Sequence, residues 1–538
     1  MPITHIRNQK YGIVVALGAL AVPALGWVAT QESAVQPPTT TAKPAASKPT
    51  PPIPPAKPMR VEREVARGVR LIQEAIPAGN PEGPLLTTVV IVDPSQKGVS
   101  VEAALGKDRV WAMNAAAGRE VVSRIAARHE AIAAINAAFF PAGGNPIGLH
   151  IQNGELVTEP AANRTCFLIP RNGKAQCAAF GYQAEVKTEN DKETFALNGL
   201  NRRPAAPDKT GFLRSELLVF TPMFQDTTLK SPGRIEVVLE GIEGPVAVDK
   251  PLTGTVRQIT EGGGTPLEKG TVVLSGSRDA AEWLKRVATP GTKLTVHFDL
   301  TTPDGKPFDG TDILHAVAGG PRLLRKGQLD IPLKDEGMSL NFSQTRHPRT
   351  AIGVTRDGKL LLLTVDGRQA GLSRGASLTE MAILLQRYGA VEAVNLDGGG
   401  SSACVVNNMV VNAPSDGRER PVASMLLVLS PDKPTAPPVL QTTSAPETAS
   451  YKSVPVGQTL SLAAPKAKSA DKSLWGIQPG GVLAGVVRQD GVFHALRPGT
   501  AIVTRKQSGG ETNTHLITVL PPPTVPGEKP STPDPTRH

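Results

Sequence analysis

The chain has 538 residues, 40% hydrophobic and 20% charged, with 50 Pro, 53 Gly and few aromatics (4 Trp, 4 Tyr, 12 Phe). That is enough apolar residue for folded cores and more chain than one core usually organises, which excludes a wholly disordered or collagen-like protein and points to at least two domains with linkers. The net charge of +10 invites a nucleic-acid reading, but +5 lies in residues 1–60 and +4 in 432–538, so the body from 61 to 431 is nearly neutral and lacks the basic stripe a nucleic-acid partner requires.

The first ten residues hold His5, Arg7 and Lys10, and Tyr11 to Gln31 then runs without a formal charge. A short basic segment before an apolar stretch marks export, so residues 1–31 read as a signal peptide or an N-terminal membrane anchor. Val22-Pro23-Ala24 is a poor small-x-small cleavage site, and the positive-inside rule suits an anchor equally well. Both readings place the bulk of the protein in the periplasm or at the cell surface, touching a membrane only through this segment. Residues 32–60 are a Pro-rich linker, with 9 Pro between positions 36 and 58, which favours extended polyproline II and denies a packed core.

Across 61–431 the hydrophobic pattern is mostly of the strand type. It predicts strands at 85–93, 131–140, 216–220, 234–240, 292–300, 350–356, 359–366, 391–396 and 421–429, with Asn153-Gly154 and Asp357-Gly358 as turns. Helical spacing appears over 119–129 and 279–287, and most clearly from Ser377, where Ser377 and Glu380 form a capping box and Gly389 marks the stop. The expected fold class is an α+β domain rich in antiparallel strands, without the regular alternation of a doubly wound sheet.

Asn172-Gly173 sits between two strand-like runs that carry Cys166 and Cys177, so a cross-strand disulfide is one reading in an oxidising compartment. Two buried thiols are the other, because pairing Arg171 with Lys174 leaves the cysteines out of register. Cys404 reads as a small core residue.

The chemical centre is VNLDGGGSSACVV, 394–406. A strand delivers Asp397 to its C-terminal end, and Gly398, Gly399 and Gly400 then allow a ligand to approach the backbone, whose N–H groups with Ser401 and Ser402 can form an anion nest. A tight turn between strands would explain the glycines equally well. Gly399-Gly400-Ser401-Ser402-Ala403 also approaches the nucleophile elbow of serine hydrolases, but Ala403 replaces its last glycine. The only later histidines, His494, His515 and His538, lie beyond the body. Asp304, Asp309 and Asp312 do not match the spacing of a calcium loop, and no cofactor or metal is expected.

AINAAFF (134–140), AGGPRLL (318–324), HPRTAIGV (347–354), TVDGRQAGLSRGASLTEMA (364–382), VNLDGGGSS and NAPSDGRERPVA (412–423), in this order, resemble the phosphodiester glycosidase family over roughly 85–430. Its animal representative removes N-acetylglucosamine from a phosphodiester link to mannose 6-phosphate. The resemblance implies an exported hydrolase cleaving a sugar-1-phosphodiester at the anomeric carbon and acting on exopolysaccharide or cell-envelope glycans. A polysaccharide-binding or adhesion protein is the alternative. Such a reaction needs a carboxylate at the anomeric carbon and cations or N–H donors on the phosphate.

On this resemblance Asp397 and Asp366 are the candidate carboxylates, Arg349 and Arg368 the phosphate clamps, and Glu380 a catalytic candidate that also serves as a helix cap. Asn136, Gly319, Gly320, Asn395, the Gly398–Ser402 loop and Arg420 are the substrate-binding candidates, and His347 is a proton donor or the start of a Pro turn. One departure is that Ala137 and Ala138 stand where the family has two glycines.

After a linker at 432–450, residues 451–520 show about seven short strands, with Trp475 as a core residue, and resemble a bacterial group 2 Ig-like domain. An all-β sandwich acting as spacer or adhesion module is therefore expected there, ahead of a disordered Pro-rich tail at 521–538.

Overall fold

The computed structural model describes residues 58–111, 118–161, 163–435, 449–463, 472–507 and 510–522. The expected signal or anchor, nearly all of the first linker, most of the second and the C-terminal tail lie outside them.

An eight-stranded antiparallel sheet forms the middle layer. Its order is Met59–Ala66, Val69–Ile76, Leu85–Val92, Leu360–Val365, Arg349–Thr355, Ala390–Asn395, Arg322–Arg325 and Gln328–Leu329. The central strands are apolar without alternation because both faces are covered. On one face Val89, Leu361 and Leu363 pack against Met381 and Leu385 of the helix Leu378–Arg387. On the other, Val90, Leu362 and Ile352 pack against Ile135, Cys404 and Leu426 of a second sheet. A further mixed sheet built mainly from residues 181–308, with the helix Asp279–Val287, forms its own core around Phe180, Leu217, Val237 and Trp283.

Predicted strands and helices recur within a few residues of their expected bounds, including Glu216–Phe220, Arg234–Glu240 and Asp279–Val287. Asn153, at φ 54°, and Gly154, at φ 80°, make the expected hairpin turn. The α+β expectation gives helix too much weight: strands dominate, and the four α-helices among the described residues are short.

The second sheet runs across the expected domain boundary. Its order is Ser450–Pro455, Thr512–Leu520, Gly499–Lys506, Leu474–Ile477, Met409–Val410, Cys404–Val406, Ala133–Asn136, Ser424–Leu429 and Ser100–Leu105. The junction is the pairing of Val410 with Ile477. Three more C-terminal strands, Thr459–Ser461, Val492–Ala495 and Gly485–Val487, form a small separate sheet. Seven C-terminal strands are thus present among the described residues and Trp475 is buried between the sheets, but they continue the body instead of standing apart from it.

The Cys166–Cys177 disulfide does not form, and both thiols are free. In the hairpin Cys166 faces Ala178 and Cys177 faces Phe167, a one-residue offset that sends the two side chains to opposite faces of the sheet. Cys166 accordingly packs in the core around Phe180, and Cys177 against the core around Phe167.

Candidate functional site

Three segments distant in sequence meet where the central sheet leans on the second one. Asp397 follows the strand Ala390–Asn395; its N–H donates to the Ala137 carbonyl at 2.9 Å, and its own carbonyl accepts from Asn136 Nδ2 at 2.7 Å. Asn136 Oδ1 accepts from Thr350 Oγ1 at 2.8 Å and from the Ala403 N–H at 3.2 Å, and Thr350 Oγ1 lies 3.1 Å from Ser402 Oγ. Asn136 is fully buried, so it braces the backbone on both sides of the glycine loop. Ala137 and Ala138 are also buried, with their N–H groups spent on the Ser424 carbonyl and hydroxyl. Their methyl groups therefore fill core space.

Asp397 is half-buried, and its Oδ1 accepts from the Gly398 N–H at 2.9 Å. Burial pushes its pKa up to about 6, against the opposing pull of Ser401, the Gly398 N–H and the Arg420 charge. Ser401 Oγ lies near enough to exert that pull but is buried and makes no hydrogen bond of good geometry. No histidine activates it, as a serine nucleophile would require.

Gly399 to Ser401 form a single 3₁₀ turn lying on the His347-Pro348-Arg349 segment, with the Gly399 N–H donating to the Pro348 carbonyl at 2.8 Å. Gly399 has φ 61°, and a Cβ there would sit 3.3 Å from Arg368 Nη2. Arg368 is exposed, and its Nη2 is 3.2 Å from His347 Nδ1. Gly400 is pressed against an ion pair: a Cβ would lie 2.1 Å from Arg420 Nη2 and 2.2 Å from Asp416 Oδ1. Arg420 Nε donates to Asp416 Oδ2 at 2.8 Å.

Arg349 is 1% exposed, which a free phosphate fork is not. Its Nε donates to the Ala376 carbonyl at 3.1 Å, its Nη2 to the Phe342 and Thr345 carbonyls at 2.6 and 2.9 Å, and the guanidinium lies over the Phe342 ring. Burial and the Arg368 charge lower its pKa to about 10; burial, Arg349 and Arg368 lower that of His347. No carboxylate among the described residues forms an ion pair with Arg349 or Arg368. The site therefore holds uncompensated positive charge in a partly desolvated setting, which favours an anion.

The other carboxylate candidates are committed elsewhere. Asp366, at the end of the strand Leu360–Val365, is buried and accepts from Asn412 Nδ2 at 2.9 Å and the Ala413 N–H at 3.0 Å. Burial raises its pKa to about 6. Asn412 also donates to the Ser402 carbonyl, so Asp366 supports the glycine loop from behind. Glu380 completes the capping box with Ser377, receives Arg346 Nε at 3.1 Å on both oxygens, and pairs with Arg374. Burial opposes its charge, but the Arg346 and Ser377 hydrogen bonds prevail and hold its pKa below the ordinary value.

Gly319 and Gly320 pack against Asn395: the Gly320 N–H donates to the Asn395 carbonyl at 2.8 Å, and Asn395 Nδ2 returns to the Gly320 carbonyl at 2.9 Å. Asn395 Oδ1 is buried without a partner. Thr350, Asn412 and Asp416 escaped the sequence reading, although Asp416 stands four residues before Arg420, a charge spacing that could have flagged it.

Residues 244–429 match the model of the phosphodiester glycosidase family. An uncharacterised SPbeta prophage-derived protein of Bacillus subtilis is 43% identical over 90 residues, 17% of this chain and 14% of that one. The N-acetylglucosamine-1-phosphodiester alpha-N-acetylglucosaminidase of Mus musculus is 40% identical over 83 residues, 15% of this chain and 16% of that one. The chain thus spans only about a sixth of the length of these relatives. A putative exported protein from Burkholderia pseudomallei has a structure that aligns with a TM-score of 0.53 and 27% identity, covering 65% of this chain and 74% of that one.

Proposed function

With a phosphodiester glycosidase domain in residues 244–429 as the premise, we propose that the protein hydrolyses a sugar-1-phosphodiester at the anomeric carbon, with Asp397 as the essential carboxylate. The observation that carries this reading is one half-buried carboxylate at the start of the Gly398–Ser402 loop, with Arg349, Arg368 and His347 packed against the same loop and none of the three in an ion pair with a carboxylate among the described residues.

The chemistry divides between those two halves. The C1–O bond breaks with its electron pair leaving on the phosphate, and positive charge develops at C1 and the ring oxygen. Asp397, ionised above about pH 6, faces that charge. Arg368 binds the phosphate oxygens, Arg349 adds buried charge behind it, and the leaving group departs as an already stabilised anion. Water supplies the oxygen that ends on C1. Asn136, Thr350 and Asp366 hold the loop in register, and Glu380 secures the helix that carries the neighbouring wall.

The apolar run at 11–31 and the Pro-rich spacer support an exported enzyme acting on phosphodiester-linked sugars of an exopolysaccharide or the cell envelope. Strand number and the buried Trp475 support an Ig-like reading of the C-terminal strands. The test is to incubate the full chain with a panel of N-acetylglucosamine-1-phosphodiesters and other sugar-1-phosphodiesters. Free sugar should appear with the wild type and fall about 10³-fold with Asp397→Asn. Absence of release from every sugar would overturn the assignment.

A further inference from the structure

The C-terminal region reaches, through turns between its strands, the two loops that carry Arg368 and Arg420. We propose that they complete that site, with Arg497 as a positioning residue that couples the Arg368 loop (366–376) to the Arg420 loop (412–423). This rests on the function proposed above.

Five contacts carry the inference. The Leu483 N–H donates to the Gly417 carbonyl at 2.7 Å, which ties the C-terminal region directly to the turn between Asp416 and Arg420. Arg497 lies behind that same turn: a Cβ on Gly417 would be 2.9 Å from Arg497 Nε and 3.0 Å from its Cδ. From there its Nη1 donates to the Leu483 carbonyl at 2.7 Å, and its Nη2 reaches Gln369 Oε1, next to Arg368, at 3.5 Å. Val486 and Leu496 of the C-terminal region also pack with Leu372 of one loop and Ala413 of the other.

Arg497 is partly buried, and no carboxylate among the described residues pairs with it. A guanidinium held by carbonyls alone retains its full positive charge beside the two loops. Its planar fork spans contacts that a single ammonium cannot make together. The C-terminal region is also anchored at further points. The buried Gln73 accepts from the Gln489 N–H at 2.8 Å and donates to the Val411 carbonyl at 3.1 Å, while Arg63 Nε donates to the Ser473 carbonyl at 2.8 Å. A region fixed at those points can transmit rigidity to the loops, whereas a tethered spacer could not.

The experiment uses the full chain with Arg497→Ala and Arg497→Lys and has two readouts. Amide hydrogen exchange needs no substrate. Arg497→Ala should speed exchange in 366–376 and 412–423 and leave the strand Leu85–Val92 unchanged, and the melting temperature should drop by only a few degrees. In the sugar-release assay the same variant should raise KM at least tenfold with a smaller change in kcat, and Arg497→Lys should recover part of the loss. Unchanged exchange in both loops overturns the coupling whatever the activity. Altered exchange with unchanged KM and kcat overturns the positioning role. A wild type that releases no sugar while the loops still respond to Arg497→Ala sinks the functional reading and leaves the coupling standing.

Discussion

The side-chain amide of Asn136 holds the main-chain carbonyl of Asp397 at 2.7 Å, joining a strand near residue 135 to a loop 261 positions later. The contact fixes where the carboxylate leaves the sheet, and Thr350 and Ala403 fix Asn136 in turn. The carboxylate proposed to react is therefore oriented by the seam between two sheets, and its titration should report that setting.

Burial raises the Asp397 pKa to about 6, so the carboxylate is mostly protonated at pH 5 and mostly ionised at pH 7. kcat/KM should rise with pH through an acidic limb near 6. Arg420 favours the ionised form, so Arg420→Ala should move the limb to higher pH. A pH profile of both proteins checks this; a limb near 4 in the wild type contradicts it.

The same shift has a stability consequence of opposite sign. A carboxylate whose folded pKa lies above its unfolded value binds more protons in the native state between about pH 4 and 6, so its contribution to stability falls as pH rises through that window. Asp397→Asn keeps the acceptor for the Gly398 N–H but cannot ionise. Its melting temperature should match the wild type at pH 4 and exceed it at pH 7. Equal melting temperatures at both values would place Asp397 in a better solvated setting than the one described.

Much of this was legible in the sequence, and the failures have physical causes. The central strands were readable because covering both faces makes them unbroken apolar runs, as around Val89 and Leu361, and the capped helix because Met381, Leu385 and their neighbours are apolar on a helical period. Asp397 and its glycines stood out as residue types, but the anion nest expected of their N–H groups is largely spent within the protein, Gly398 on Asp397 Oδ1, Gly399 on the Pro348 carbonyl, and Ser401 and Ser402 on the Gly398 and Gly399 carbonyls, while the glycines make room for Pro348, Arg368 and the Asp416–Arg420 pair. The commitment of Arg349 to three carbonyls was not, since a buried and an exposed arginine look alike in sequence. Nor was the cysteine offset, which depends on a one-residue choice of hairpin register. The continuation of the sheet into the C-terminal strands rests on one pairing, Val410 with Ile477, across a linker that reads as a boundary.

Arg368 is exposed and is the proposed phosphate contact. Arg368→Ala should raise KM roughly tenfold to a hundredfold, the scale of a lost hydrogen bond to a charged group, with Arg368→Lys intermediate. Steady-state kinetics at fixed ionic strength checks it. An unchanged KM would leave the phosphate without its proposed contact.

Glu380→Gln separates cap from catalyst. Gln can still accept from the Ser377 N–H but loses the charge that faces Arg346 and the helix N-terminus, a cost of about 1 kcal/mol. The melting temperature should fall by a few degrees with kcat nearly unchanged. A kcat loss of a hundredfold or more would make Glu380 a participant in the reaction.

The central claim is cleavage at the anomeric carbon, and the origin of the oxygen tests it most directly. The full chain would turn over an N-acetylglucosamine-1-phosphodiester in water enriched in oxygen-18, and the phosphate monoester product would be weighed by mass spectrometry. Attack at C1 leaves the phosphate unlabelled, because its bridging oxygen departs with it. Oxygen-18 in the phosphate would mean cleavage of the P–O bond and contradict the role assigned to Asp397.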